Sequence, residues 1–217
     1  MKRLILLAAL CMLLGLVPRH ASAQTCTASP SAMSFGSVSP IALSAVSATG
    51  SITVQCTWPV ISLTPSVQIC LNLAGPTVRA MTSGSNQLQY ALYQDAAHSI
   101  AWGSTALGTT PIALILDKPA NSSTGSVTVN YYGLVAANQP AVPTIGNSST
   151  VYSDAVAQVT LNYSFFLLVS LGCGATTSST SASAFAVNAT VVNNCVISAT
   201  NVAFAATGLL SSALSAR

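Results

Sequence analysis

The sequence predicts an all-β protein built as an antiparallel β-sandwich. Several short segments alternate apolar and polar residues, which is the pattern of strands with one buried face. Joints rich in Gly, Pro, Asn and Ser separate these segments, and no segment combines a period of 3.6 residues with caps at both ends. Strands at this spacing are typical of an antiparallel sandwich.

The first clear strand is 51–56, where Ile52, Val54 and Cys56 share one face. Four later segments repeat the alternation, at 67–73, 88–92, 126–132 and 155–163. The joints between them are 74–76, 83–86, 103–111, 119–125 and 138–149. Turn-forming residues in these joints separate the predicted strands.

The N-terminus has the pattern of a signal peptide over residues 1–23. Two basic residues precede an apolar run at 4–17, and Ala21-Ser22-Ala23 provides a small-residue cleavage site. The run is roughly 14 residues long, too short for a bilayer core of ~30 Å, so a transmembrane anchor is disfavoured. We therefore expect an exported protein whose mature chain begins near Gln24.

Charge excludes one class of partner. The formal net charge is +3, but three of the six basic residues lie in the predicted signal. The mature chain retains Arg79, Lys118 and Arg217 against Asp95, Asp117 and Asp154. Without a basic patch there is no electrostatic support for nucleic-acid binding. One mature histidine, His98, and no CxxC spacing argue against a metal site, and no motif indicates a cofactor.

Five cysteines remain after the signal, and in an exported protein they are expected to form disulfides. We favour Cys26–Cys56, which flanks the first predicted strand pairing, and Cys70–Cys173, which pins the end of the domain. Cys195 is then left over. The sequence does not exclude other pairings among the five.

A repeated spacing predicts the start of a second domain. Phe35 follows Cys26 by nine residues, and Phe204 follows Cys195 by nine, about one domain length later. The low-complexity segment 174–184 has the composition of a linker. The predicted organisation is a sandwich domain at 24–173, this linker, and a truncated second domain at 185–217 that is too short to enclose a core.

The segment after the linker alternates like a strand. Phe185, Val187, Ala189 and Val191 share one face, and nothing later in the chain can evidently cover them. An apolar strand of this kind needs a neighbour, so these residues are candidates for strand exchange with another subunit. The alternative is that they form the first strand of the truncated domain and pair only within their own chain.

An ordered set of motifs identifies a resemblance. The set comprises Cys26, Phe35-Gly36, 49–56, Arg79-Ala80-Met81, 88–95, Trp102-Gly103 and Tyr152-Ser153-Asp154. The chain resembles the spore coat protein U domain of archaic chaperone–usher pilus subunits. Two departures are Thr150, where the family usually has Gly, and Ala205, where Phe-Gly is expected.

The resemblance implies an immunoglobulin-like sandwich of the pilin or adhesin type, followed by an incomplete second domain as in tip adhesins. It implies a periplasmic chaperone, an outer-membrane usher, and neighbouring subunits joined by donor-strand exchange. The expected protein is a secreted structural or adhesive subunit that passes through the periplasm to the cell surface and the pilus. There it mediates surface attachment and biofilm formation. The alternative is a free secreted carbohydrate- or surface-binding module that does not polymerise.

The candidate binding residues are apolar runs and aromatic residues. Ile112, Leu114 and Leu116 form one run that would suit greasy surfaces if it projects from a loop, and 165–169 is either a buried final strand or an exposed sticky surface. Three aromatic residues, Trp102, Tyr90 and Tyr93, are either sugar-stacking or core residues.

An enzyme is not expected. Asp95 and His98 lie close in sequence, but the chain has no G-x-S-x-G elbow and only three carboxylates. Asp95 and Asp154 are expected to tie turns through nearby backbone amides.

Overall fold

The computed structural model describes residues 24–194, apart from residue 147, residues 157–158 and residue 183. Over these residues the chain forms twelve strands and two short 3₁₀ helices. The strands are β1 (Thr25–Pro30), β2 (Met33–Val38), β3 (Val46–Thr57), β4 (Ser66–Leu73), β5 (Val78–Ser83), β6 (Asn86–Tyr93), β7 (Ile112–Asp117), β8 (Thr124–Val135), β9 (Thr150–Val156), β10 (Val159–Phe166), β11 (Ser178–Ser181) and β12 (Phe185–Val191). The helices are Thr105–Leu107 and Cys173–Ala175.

The strands form two sheets with a shared core between them. The larger sheet has the order β1-β3-β8-β6-β5-β9-β12-β2, and the smaller has the order β11-β10-β4-β7. Every pair of neighbouring strands is antiparallel except β12 and β2, which run parallel. The predicted all-β sandwich is therefore confirmed.

Close approach of β3 and β8 explains why residue 50 is a glycine. Gly50 on β3 lies opposite Tyr131 on β8, and a Cβ added at Gly50 would lie 2.3 Å from the tyrosine ring. The ring therefore occupies the space that a side chain at Gly50 would need. The Tyr131 hydroxyl donates to the Ser31 carbonyl at 2.7 Å, which ties β8 to the connection between β1 and β2.

The predicted domain boundary at residue 173 requires correction. Within the described residues, β11 extends the smaller sheet and β12 lies inside the larger one, so the sandwich continues to residue 191. The predicted linker at 174–184 includes β11. Ser and Thr without apolar partners can still form an edge strand, because that position needs backbone hydrogen bonds and little apolar burial. The remainder of the predicted second domain, with Cys195, lies outside the described residues, as does the predicted signal peptide.

Other predicted strands are present with shifted bounds. The predicted strand 155–163 corresponds to the end of β9 and most of β10, which lie in different sheets. The sequence analysis did not identify β1, β2 or β5. These strands are six residues long, and each contributes too few alternating apolar positions to be distinguished from a loop.

Candidate functional site

Residues 178–191, which we name the complementing segment, fill a gap in the sandwich. Its strand β12 lies between β9, to which it is antiparallel, and β2, to which it is parallel. Phe185, Val187, Ala189 and Val191 point into the core and are almost wholly buried. The strand therefore pairs within its own chain, as the alternative held, but with β9 and β2 of the preceding sandwich rather than within a second domain. The first sandwich itself covers it.

The complementing segment pairs with β9 and β10 in one register. Thr160 on β10 lies opposite Ser181 on β11. Val156, four residues before Thr160, lies opposite Phe185, four residues after Ser181. A one-residue slip anywhere would have turned the apolar face away from the core. Strands β11 and β12 thus follow one register, although β11 lies in the smaller sheet and β12 in the larger one.

Phe185 anchors this strand among aromatic rings. Its ring centroid lies 5.2 Å from that of Tyr131 and 6.4 Å from that of Trp102, which it stacks nearly parallel. Trp102 in turn donates its indole N–H to the Leu71 carbonyl at 2.8 Å. Trp102 and Tyr90 are buried, so neither presents a face to a sugar, and the core interpretation is the correct one. Tyr93 is half-buried beside His98.

The motif around Asp154 forms a polar contact between strands. The Tyr90 hydroxyl on β6 donates to the Asp154 carboxylate on β9 at 2.6 Å. Burial, and then this hydrogen bond, raise the pKa of Tyr90 above its ordinary value. The prediction that Asp154 ties a turn is wrong, because Asp154 lies within a strand and accepts from another strand.

Asp95 has the turn role expected for it. Its carboxylate accepts from the backbone N–H groups of Ser99 and Ile100 and from the Ser99 hydroxyl. These donors, Ile100 first, lower the pKa of Asp95 below its ordinary value. The His98 ring instead packs edge-on against the rings of Tyr93 and Tyr132. The carboxylate therefore serves the turn, and this pair has no triad geometry.

Both favoured disulfides are formed, Cys26–Cys56 and Cys70–Cys173. Cys70 lies on the outer face of β4, and the chain after β10 folds back over that face to reach it. Gln68, also on this face, accepts from the Ser170 hydroxyl at 2.6 Å and donates to the Leu114 carbonyl. The disulfide therefore fixes the chain just before the complementing segment begins.

The surface-binding prediction for 112–116 is wrong. Ile112, Leu114 and Leu116 lie on β7, where Ile112 is buried and the other two pack against the core. The alternate residue Ile115 is the exposed one. The segment is an edge strand of the smaller sheet, and its alternation directs the named residues inward.

Two loops are instead rich in exposed apolar side chains. Seven large apolar residues there are 58% to 87% exposed, namely Val60, Ile61, Leu63, Leu167, Leu168, Val169 and Leu171. We name these seven residues the apolar loop end. The run 165–169 is thus divided: Phe165 packs against the core near the end of β10, whereas 167–169 project from the strand.

Strand pairing places the two loops at one end of the sandwich. The first loop, 58–65, leads into Ser66, which lies opposite Phe166, the last residue before the second loop. The Trp58 and Phe165 rings meet edge to face at 5.5 Å beneath them. The complementing segment runs away from this end, since Ser178 lies opposite Tyr163 whereas Val191 lies opposite Thr150 at the far end of β9.

The sequence analysis missed Val60, Ile61 and Leu63. A signal was present, because these apolar residues lie between Pro59 and Pro65, and Pro on both sides disfavours a continuous strand. The two prolines thus indicated a loop that carries large apolar side chains.

The described residues contain no cluster of three or more His, Cys, Asp or Glu side chains suited to a metal ion. Within the same part of the chain, no helix has both the length and the apolar character needed to cross a membrane.

Comparison with known proteins gives one family match. A protein-family model described as the Spore Coat Protein U domain matches residues 15–159. No curated protein matches this chain. Among solved structures, the chain is similar to AggA, the major subunit of aggregative adherence fimbriae type I from Escherichia coli. The identity is 9%, the alignment covers 78% of this chain and 95% of that chain, and the TM-score is 0.30, too low to carry an argument.

Proposed function

Since this chain belongs to the family of Spore Coat Protein U domains, we propose that it is an exported subunit of a chaperone–usher pilus that attaches to surfaces through its apolar loop end. The proposal includes passage through the periplasm to the cell surface and a part in biofilm formation. It is supported by the family, by the two disulfides expected in an oxidising compartment, and by the placement of exposed apolar residues.

The apolar loop end is the observation that supports the adhesive part of the proposal. Single exposed apolar residues are ordinary, but seven large ones on two neighbouring loops form a patch of the kind that marks interaction sites. Water contact with this patch is unfavourable, so covering it with an apolar surface is favourable without any charge. The mature chain has balanced charges, which suits attachment to uncharged surfaces.

The two ends of the sandwich differ in a way that suits a subunit that binds through its outer end. The apolar loop end lies at one extremity, and the complementing segment leads the chain toward the opposite extremity, at Val191. A chain that continues from there toward other subunits would leave the loops free to meet a surface. Donor-strand exchange with neighbours, and capture by the chaperone and usher, are part of the proposal and rest on the family.

The filled gap also fits the alternative, a free secreted module that does not polymerise. A sandwich completed by its own chain needs no strand from a partner. Burial of Trp102 and Tyr90 removes two of the aromatic faces through which such a module would bind a sugar. Co-purification of the exported chain with a periplasmic pilus chaperone supports the pilus proposal, and secretion as a free monomer without a chaperone supports the alternative.

The adhesive role is tested by making the loops polar. Ile61→Ser combined with Leu168→Ser should weaken attachment to a hydrophobic plastic surface while leaving the melting temperature unchanged, because both side chains are exposed. The matched control is Leu43→Ser. Leu43 is 90% exposed but precedes β3 at the opposite end, so its replacement should leave attachment intact. Equal attachment by the double variant and the parent chain would contradict the proposal.

A further inference from the structure

We propose that the Cys70–Cys173 disulfide keeps the complementing segment in its own sandwich, and that without this disulfide the same gap accepts the complementing segment of a second copy of this chain. The partner in this inference is another molecule of the same protein. The product is a strand-swapped dimer in which each sandwich is completed by the other chain.

The complementing segment could make the same contacts in a second copy of the chain as it makes in its own sandwich. It is the last part of the described sandwich, and it is joined to the rest only through the connection after β10. Its buried residues, such as Phe185 and Val187, contact β9, β2 and the aromatic core, and a second copy offers the same contacts. Exchange of an identical element between protomers therefore alters only the connecting segment.

The length of the free connection determines which exchange is possible. Between Phe166 and Ser178 lie the residues 167–177, which could span about 36–40 Å if fully extended. The disulfide fixes Cys173 against Cys70, so only 174–177 remain free and span about 13–14 Å. The shorter span reaches the gap of the same sandwich, whereas a gap in a second molecule would require close approach of two folded bodies.

The fixed connection has a second point of attachment. The Ser170 hydroxyl donates to Gln68 at 2.6 Å on the same outer face as Cys70. This bond and the exposed one from the Thr177 hydroxyl to the Ser164 hydroxyl at 3.4 Å are both neutral and at least partly open to water, so together they contribute far less than a covalent bond to holding the connection. Loss of the disulfide therefore frees most of the 167–177 segment.

Release alone does not favour the dimer, because a tethered strand has a high effective concentration at its own gap. The apolar side chains of the 167–177 connection supply the additional stabilisation of the dimer. Leu167, Leu168, Val169 and Leu171 are exposed in the single chain. In a swapped dimer the two connections run side by side between the sandwiches, where these side chains can cover one another.

The test compares disulfide variants of the full, exported chain in a Cys195→Ser background, which prevents dimers linked through that thiol. Cys70→Ser combined with Cys173→Ser should form a dimer whose dissociation constant is at least about tenfold lower than that of the parent, measured by light scattering across a concentration series. Cys26→Ser combined with Cys56→Ser is the matched control. It also removes one disulfide, but from β1 and β3, and should remain monomeric.

Exchange is distinguished from other dimers by crosslinking between copies. Asn188 on β12 lies opposite Ser153 on β9. In the variant without the Cys70–Cys173 disulfide, one copy carrying Asn188→Cys refolded with one carrying Ser153→Cys should yield a disulfide between chains. A dimer without this crosslink, or a monomer at every concentration, would overturn the proposal.

Replacement of both Cys70 and Cys173 by alanine provides a second variant, which avoids placing a hydroxyl at the buried position 70. If neither the serine nor the alanine pair folds, the disulfide is needed for the fold itself and the proposal is wrong. If Ile61→Ser combined with Leu63→Ser, two exposed residues outside the connection, abolishes adhesion while this dimer still forms, the two proposals are separated.

Discussion

Replacement of Phe185 by alanine tests whether the complementing segment belongs to the core of the sandwich. The side chain is 4% exposed and packs against the rings of Tyr131 and Trp102. An aromatic side chain buries about 150–250 Å², which at ~25 cal/mol per Å² corresponds to roughly 4–6 kcal/mol. Because unfolded chains already bury part of this area, we expect Phe185→Ala to lower the free energy of unfolding by about 4 kcal/mol.

The assay is urea unfolding of the exported chain followed by tryptophan fluorescence, since Trp102 lies beside the replaced ring. The matched control is Ala186→Thr, one residue later on the exposed face of the same strand. It should change the free energy of unfolding by less than about 0.5 kcal/mol. Similar small effects of both substitutions would refute the reasoning, because they would mean that Phe185 is not enclosed by the sandwich.

Three further predictions concern the sandwich. Gly50→Ala should lower the free energy of unfolding by about 1–3 kcal/mol, because its Cβ would meet the Tyr131 ring, whereas Gly174→Ala, which meets nothing within 4 Å, should be neutral in the same urea assay. Tyr90→Phe should cost about 1–2 kcal/mol in thermal unfolding because Asp154 loses its donor, and no change would contradict the pairing. Since burial raises the pKa of Tyr90 above that of the unfolded chain, the contribution of Tyr90 to stability should be level below pH ~10 and fall above it. Tyr90→Phe should reduce that fall, and an identical alkaline profile would exclude this cause.

The fold class could be predicted because it depends on local patterns, whereas the two disulfides were favoured by their placement without other pairings being excluded. Alternation in 51–56 and 67–73 reports a buried face directly, and the placement of cysteines beside those strands favoured the two pairings that are formed. The role of Asp95 was equally local, since its partners Ser99 and Ile100 lie within five residues.

The errors concern features that depend on distant parts of the chain. Alternation in 185–191 established an apolar face, but it could not specify which sheet would cover that face. The covering strands β2 and β9 lie far away in sequence. The same limit applies to Ile112 and Leu114, whose pattern was apolar but whose edge position was fixed by pairing with β4.

Asp154 illustrates the limit for polar residues. Acidic residues near turns commonly bind local amides, which made that role the simplest expectation. Its partner is Tyr90, a residue brought close only by the order of strands in the larger sheet.

Hydrogen exchange at the backbone amides of 185–191, measured by mass spectrometry on the isolated exported chain, determines whether β12 completes its own sandwich. If this strand completes its own sandwich, its amides should be protected to nearly the same extent as those of the central strand β4, without any chaperone or second subunit present. Exchange at the rate of an unstructured segment, while β4 stays protected, would contradict the account.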